Sequence, residues 1–120
     1  MPTRARLDEF IATVESGDHA GAIERYYTED ASMQENAASP RSGRDALVAR
    51  ERAVLAQMAE VYSKCVSSTL EGDRVAIHWN FALTDKSGKV RKFDEVALQE
   101  WRGELIWRER FFYDPSTVNV

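Results

Sequence analysis

Two glutamates occupy positions at which a carboxyl group could act as an acid or a base inside an apolar site. Glu109 alternates with Trp107 and Phe111 in the last predicted strand, so its carboxyl shares a strand face with aromatic rings. Glu35 shares a face with Met33, because one residue separates them in an extended segment. Carboxyl groups that apolar side chains shield from water have raised pKa values, and two in one pocket can divide acid and base roles. The pair therefore predicts proton-transfer chemistry.

Structural explanations for both carboxylates stand beside this catalytic interpretation. Glu109 can be a core polar group that is salt-bridged to an arginine or hydrogen-bonded to Tyr26 or Tyr27. Glu35 can be a solvated residue at the start of a loop. Sequence alone leaves these alternatives open.

The remaining reactive side chains are interpreted as structural. His78 falls on the opposite strand face from Trp79, which predicts a role on the outer surface of the sheet. His19 follows a predicted helix cap and is expected in solvent, and Cys65 has no basic neighbour and is expected to act as a small hydrophobe. Two histidines and one cysteine do not make a usual structural zinc site, so no metal site is predicted.

The elements that must position these residues change type after Glu60. Before it, apolar residues recur at helical spacing in three segments; Asp18 is a predicted N-cap for the second, and residues 42–45 resemble a capping box that opens the third. After it, a period of two predicts strands over 61–70, 75–84, 89–101 and 105–114, joined by hairpins. This order predicts an α+β fold with helices packed on one face of a curved sheet.

Strand alternation then separates a face turned to the helices from an outer face. In the second strand the apolar set from Val75 to Leu83 is assigned inward. In the third, Val96 and Leu98 are assigned inward, and Glu95, Ala97, Gln99 and Trp101 outward. In the last, two arginines mark the outer side, so the aromatic set with Glu109 faces inward. The predicted pocket lining is Phe10, Tyr26, Met33, Trp79, Phe81, Val96, Leu98, Trp107, Phe111 and Tyr113.

Composition limits the class of protein. A chain of 120 residues fits a single domain over 1–120, and a net charge of −4 argues against nucleic acid or an anionic membrane surface as partner. No apolar run approaches the roughly 18 residues of a membrane span, and the N-terminal segment lacks an export signal. With one cysteine, the chain is expected in the cytoplasm.

Five short sequence segments occur in this order along the chain: SGD at 16–18, YYTEDA at 26–31, GRDAL at 43–47, WRGELI at 101–106 and FYDP at 112–115. Their order and spacing resemble the nuclear transport factor 2-like superfamily, specifically its SnoaL-like and ketosteroid-isomerase-like members, over nearly the whole chain. The resemblance implies a cone, in which a curved antiparallel β-sheet wraps around three N-terminal helices as a cystatin-like α+β roll. It also implies a deep pocket and a homodimer formed through the outer sheet face.

Matching the chain to ketosteroid isomerases along these segments puts Glu35 at the position of the general base. It puts Phe10 and Val96 at the positions of the two oxyanion donors, a tyrosine and an aspartic acid. Losing one such donor costs about 100- to 1,000-fold in rate, which argues against a steroid isomerase of the usual mechanism. SnoaL-like polyketide cyclases fit better, because the resemblance implies one carboxylic acid or base in an aromatic pocket and no cofactor.

The resulting hypothesis is a cofactor-free enzyme of isomerase, cyclase or hydratase type that acts on an apolar carbonyl compound. Glu35 or Glu109 moves a proton, and Tyr113, Tyr26 or Tyr27 donates a hydrogen bond. Two alternatives of other classes remain, a non-catalytic module that binds a small molecule and a dimerisation scaffold of the same fold.

Overall fold

Three helices lie against one face of a curved, six-stranded sheet in the computed structural model, which describes residues 1–117. This confirms the predicted α+β class and the cone. The helices are α1 (Arg4–Glu15), α2 (His19–Tyr26) and α3 (Arg44–Leu55). The strands are β1 (Tyr27–Glu35), β2 (Arg41–Ser42), β3 (Met58–Glu71), β4 (Arg74–Asp85), β5 (Val90–Arg102) and β6 (Leu105–Phe112), and a 3-10 turn follows at Pro115–Thr117.

Side-chain caps begin the first two helices. The Thr3 hydroxyl accepts a hydrogen bond from the Arg6 N–H (3.0 Å) at the start of α1. Asp18 accepts one from the Gly21 N–H (2.9 Å) at the start of α2, as predicted. Among residues 1–117, no helix combines the length and the apolar content that a membrane crossing requires.

The third helix begins differently from the prediction. Its N-cap is Gly43, which has a φ of 100° and forms no side-chain cap, so the capping box at 42–45 is wrong. Glycine adopts this left-handed conformation at little cost, which lets the chain turn sharply from β2 into α3. Leu47 and Val48 are buried against the core, and Glu51, one turn after Leu47, lies beside the cavity described below.

The strand order is β2-β1-β6-β5-β4-β3, with antiparallel pairing among the four long strands. β1 pairs parallel to β6, and this pairing sets Met33 beside Glu109 and Glu35 beside Phe111. Asn36, with a φ of 49°, fixes the end of this pair, because its N–H donates to the Phe111 carbonyl (2.8 Å) and its side-chain oxygen accepts from the Tyr113 N–H (3.1 Å). The segment that carries Glu35 is thereby held against the strand that carries Glu109.

The faces of β4 follow the prediction, whereas those of β5 are reversed. Val96 and Leu98 are 38% and 47% exposed, while Ala97, Gln99 and Trp101 are buried. Apolar and polar residues are evenly split in this strand, so alternation alone did not decide its face. Buried Gln99 is tolerated because both ends of its amide are hydrogen-bonded. The inward assignment of Val96 and Leu98 and the outward assignment of Trp101 are wrong.

A bulge interrupts the alternation of β6. Glu100 pairs with Arg108 but Trp101 pairs with Ile106, which leaves Trp107 as an extra residue. Ile106 is consequently fully buried, and Trp107 turns outward between the guanidinium groups of Arg102 and Arg108, each 3.7 Å from its ring centre. The prediction that Trp107 faces the core is therefore wrong.

The free energy of unfolding of two variants tests the position of the bulge. Replacing fully buried Ile106 by alanine leaves a cavity and should lower the free energy of unfolding by about 2–5 kcal/mol. The matched control Val66→Ala, at a side chain that is 55% exposed on β3, should cost about 1 kcal/mol or less. Urea denaturation measures both, and equal losses would place Ile106 on the outer face.

Candidate functional site

A cavity of about 390 Å³ lies between the helices and the inner face of the sheet. Its size falls within the roughly 300–1,000 Å³ that is usual for small-molecule sites. The aromatic part of its wall comprises Phe10, Trp79, Phe81, Phe93, Phe111, Tyr27 and Tyr113, and the charged or titratable part comprises His19, Glu35, Arg41, Arg50, Glu51, Glu95 and Glu109.

One side of the cavity is a continuous row of aromatic rings. Trp79 stacks on Phe81 with ring centroids 5.6 Å apart, Phe81 contacts Phe93 at 5.5 Å, and Phe93 contacts Tyr113 at 5.9 Å. Rings from β4, from β5 and from the residue that follows β6 thus cover this part of the inner face. Aromatic side chains offer water few hydrogen-bond partners, so charged groups beside this wall are poorly solvated.

Glu109 is held in a buried hydrogen-bond network. The Tyr27 hydroxyl donates to one carboxylate oxygen, and the Gln99 amide donates to the other at 2.6 Å. Gln99 in turn accepts from the Trp101 indole N–H at 3.0 Å. Burial raises the pKa of Glu109 to about 7, although the hydrogen bonds from Gln99 and Tyr27 lower it. Both oxygens of this carboxyl therefore already have donors.

Glu95 is the cavity carboxyl that the sequence interpretation missed, because the faces of β5 were reversed. It pairs with Trp79 across β4 and β5 and lines the cavity. Burial, followed by the negative charges of Glu109, Glu35 and Glu51, raises its pKa to about 8. No hydrogen bond from residues 1–117 offsets these effects. Glu95 is therefore a poorly solvated carboxyl that is open to the cavity.

Glu35 lies at the mouth of the same cavity. Its carboxylate is 3.9 Å from the Arg41 guanidinium, and the two side chains are 41% and 51% exposed. Tyr113 lines the cavity near it, and burial, followed by the charges of Glu35 and Glu95, raises the pKa of the Tyr113 phenol. The two acids expected from sequence thus border one cavity, with Glu35 at its rim and Glu109 at its buried wall.

His19 lines the cavity instead of lying in solvent, so that prediction is wrong. Its side chain is 16% exposed, and its ring packs edge-on against Phe81 with centroids 5.8 Å apart. The signal was present in the sequence, because His19, Ala22, Ile23 and Tyr26 have the i, i+3, i+4, i+7 spacing of a helix face that is buried in the structure.

The structure brings most of the predicted pocket residues together. Those that line the cavity are Phe10, Met33, Trp79, Phe81, Phe111 and Tyr113. Tyr26 is buried outside the cavity lining, with the Arg6 guanidinium 4.4 Å from its ring centre. Val96, Leu98 and Trp107 lie outside for the reasons given above. Within residues 1–117, no group of three or more His, Cys, Asp or Glu side chains is arranged to hold a metal ion.

The raised pKa values make stability depend on pH. Above about pH 4.5 the unfolded chain has released the protons of Glu95 and Glu109, whereas the folded protein holds the Glu109 proton to about pH 7 and the Glu95 proton to about pH 8. The free energy of unfolding should therefore fall by a few kcal/mol as pH rises through this window. Hydrogen bonds to four exposed aspartates lower the pKa values of their carboxyls, so these groups change the free energy of unfolding only below about pH 4. They are Asp30, Asp85, Asp94 and Asp114.

Urea denaturation at a series of pH values measures this slope. Glu95→Gln should flatten it, whereas Glu100→Gln, the same change at an exposed position of the same strand, should leave it as in the wild type. A stability that rises across this window would contradict the assignment.

Comparison with known proteins matches the sequence to the family model of the SnoaL-like domain over residues 7–109. No curated protein matches the sequence. A Mesorhizobium loti protein, provisionally named a SnoaL-like polyketide cyclase, is 25% identical, with a TM-score of 0.78 over 94% of this chain and 100% of its own.

More distant structures share the fold. A Catenulispora acidiphila protein with a ketosteroid isomerase-like fold, solved in complex with trimethylamine, is 19% identical, with a TM-score of 0.81 over 97% of this chain and 90% of its own. An M. tuberculosis LEH-like epoxide hydrolase is 14% identical, with a TM-score of 0.78 over 94% of this chain and 83% of its own. The protein shares its fold with these structures, and with a family match that spans most of the chain it belongs to the SnoaL-like family.

Proposed function

We propose that the chain is a single-domain cytoplasmic enzyme that moves a proton beside the carbonyl group of a small apolar molecule and needs no cofactor. Isomerisation, cyclisation and hydration all contain such a step. The observation that carries the proposal is Glu95, whose pKa burial raises to about 8 in an aromatic cavity. A base with a pKa near neutral pH is strong enough to attack a carbon-bound proton and is still partly ionised.

The three cavity carboxyls differ in what they are free to do. Glu109 has a donor on each oxygen, so it suits the role of a fixed wall group. Glu35 is half-exposed beside Arg41, where solvent and a counter-ion stabilise its charge. Glu95 has neither, and we assign it the role of base. The exchange experiment also tests the pair expected from the sequence, Glu35 and Glu109.

The aromatic wall supports an apolar, ring-containing ligand. Trp79, Phe81 and Phe93 offer flat surfaces that pack well against a planar molecule and keep water from the carboxyl. Tyr113 is the tyrosine left to contact the ligand, because Tyr27 donates to Glu109 and Tyr26 lies outside the cavity lining. The name of the M. loti relative agrees with this chemistry, since closing a polyketide ring by carbon–carbon bond formation begins with proton loss beside a carbonyl.

Exchange of hydrogen for deuterium beside the carbonyl of 2-tetralone in D2O, followed by NMR, tests the proposal. This bicyclic ketone is small enough for the cavity, and the wild type should accelerate its exchange. Glu95→Gln should lower the rate by about 100-fold or more, the usual contribution of a general base. Glu109→Gln and Glu35→Gln should have smaller effects, and Glu100→Gln on the outer face should have none.

Two outcomes would contradict the proposal. If Glu95→Gln exchanged 2-tetralone as fast as the wild type, Glu95 would not be the base. If the wild type bound the ketone without accelerating exchange, the non-catalytic binding module would be the better description.

We further propose a homodimer formed through the outer sheet face. The corrected faces of β5 and β6 place Val96, Leu98 and Phe112 together there, each between 38% and 47% exposed, with Val96 paired to Phe112. This apolar strip suits the face to contact with a second copy of the chain. Sedimentation should give a dimer for the wild type and a monomer for Leu98→Asp, and a monomeric wild type would remove the proposal.

A further inference from the structure

Glu51, His19 and Ser63 form a chain of side chains across three elements at the wall of the cavity. His19 begins α2, Glu51 lies on α3, and Ser63 lies on β3. The His19 Nε2 atom is 2.7 Å from Ser63 Oγ, and its Nδ1 atom is 3.5 Å from Glu51 Oε1. Three elements thus fix the position of one imidazole ring.

These are the residue types of a nucleophilic triad, but their accessibility excludes a serine nucleophile. A nucleophile must reach the reacting carbonyl, and Ser63 is only 5% exposed and lies outside the cavity lining. His19 and Glu51 do line the cavity. Ser63 therefore holds the ring from behind and does not attack a ligand.

The hydrogen bond to Ser63 decides which nitrogen of His19 is free. It occupies Nε2, which leaves Nδ1 on the side of Glu51, the cavity-lining partner. We assign His19 the tautomer in which the Ser63 hydroxyl donates to Nε2 and the ring proton is on Nδ1. The Nδ1 to Glu51 distance of 3.5 Å exceeds the roughly 3.2 Å limit of a good N–H···O bond, so in this tautomer the Nδ1–H is available to a ligand oxygen.

Proton removal beside a carbonyl needs such a donor. The electron pair of the broken C–H bond forms a C=C bond, and the carbonyl π pair moves to the oxygen, which becomes an enolate. Phe10 lines the cavity but has no donor to offer, and Tyr27 already donates to Glu109. Tyr113 lies near Glu35 at the mouth.

We propose that His19 is a catalytic residue that donates its Nδ1–H to the carbonyl oxygen of the ligand while Glu95 takes the proton from the adjacent carbon, and that Ser63 is its positioning residue. In D2O the proton held by Glu95 is replaced by a solvent deuteron, and return of that deuteron to carbon completes the exchange, so no oxidant or reductant is consumed. This inference rests on the proposed function of the same cavity and adds the group that stabilises the enolate.

The first test compares a ketone with a mimic of its enol. 2-Naphthol is a planar analogue of the enol of 2-tetralone and carries a hydroxyl where the enolate oxygen forms. Measured by NMR titration, His19→Leu should weaken binding of 2-naphthol about tenfold or more and change the Kd of 2-tetralone less than about threefold. Equal effects on the two ligands would overturn the proposal, because a merely structural role of His19 would weaken both.

The second test uses the exchange reaction. His19→Leu should lower the exchange rate at saturating 2-tetralone by about 100-fold, the cost of losing one oxyanion donor. His19→Gln, which keeps an N–H donor, should lose less. Ser63→Ala should lower the rate about tenfold, and Ser63→Thr, which keeps the hydroxyl, should restore it.

The two proposals fail in different ways. If Glu95→Gln abolishes exchange while His19→Leu leaves it at the wild-type rate, the role of His19 is refuted and the proposed function stands. If Glu95→Gln leaves exchange unchanged, the proposed function is refuted. Should His19→Leu not fold, His19→Gln and Ser63→Ala carry the test, and wild-type exchange rates in both folded variants would refute the role of His19.

Discussion

The poor solvation of carboxyl groups beside the aromatic wall is the constraint on which the rest of the structure depends. An isolated carboxylate in such surroundings costs several kcal/mol unless donors replace the lost water. For Glu109 the fold supplies these donors through Tyr27 and Gln99, which Trp101 holds in place. For Glu95 it supplies none from residues 1–117, and the carboxyl keeps its proton to about pH 8. One acid is thus stabilised by donors, and the other is left without one among the described residues.

Strand register produces this difference. β5 must present Glu95, Ala97 and Gln99 inward for one carboxyl to reach the cavity and the amide to reach Glu109. The bulge at Trp107 allows both Ile106 and Glu109 to face inward, although strict alternation would put one of them outside. The parallel pairing of β1 with β6 then brings Glu35 to the same cavity. The register of β1, β5 and β6 therefore determines which glutamates line the same cavity.

Sequence periodicity predicted the layers of the fold and much of the cavity, because helical and strand spacing are local properties. Trp79 and Phe81 could be assigned inward since their strand separates apolar from polar residues cleanly. Glu95 could not, because β5 mixes both kinds on each face and its side is set by pairing with β4 and β6. Trp107 was misplaced because a bulge depends on the partner strand, which local alternation does not describe.

The pKa of Glu95 tests the central claim most directly. A pH titration of the wild type, following the side-chain carboxyl 13C signal that Glu95→Gln removes, gives this value without any ligand. We predict an inflection near pH 8, because burial and the neighbouring glutamates disfavour the charged form. An inflection near pH 4.5, the ordinary value for a glutamate, would show a solvated carboxyl and contradict the account.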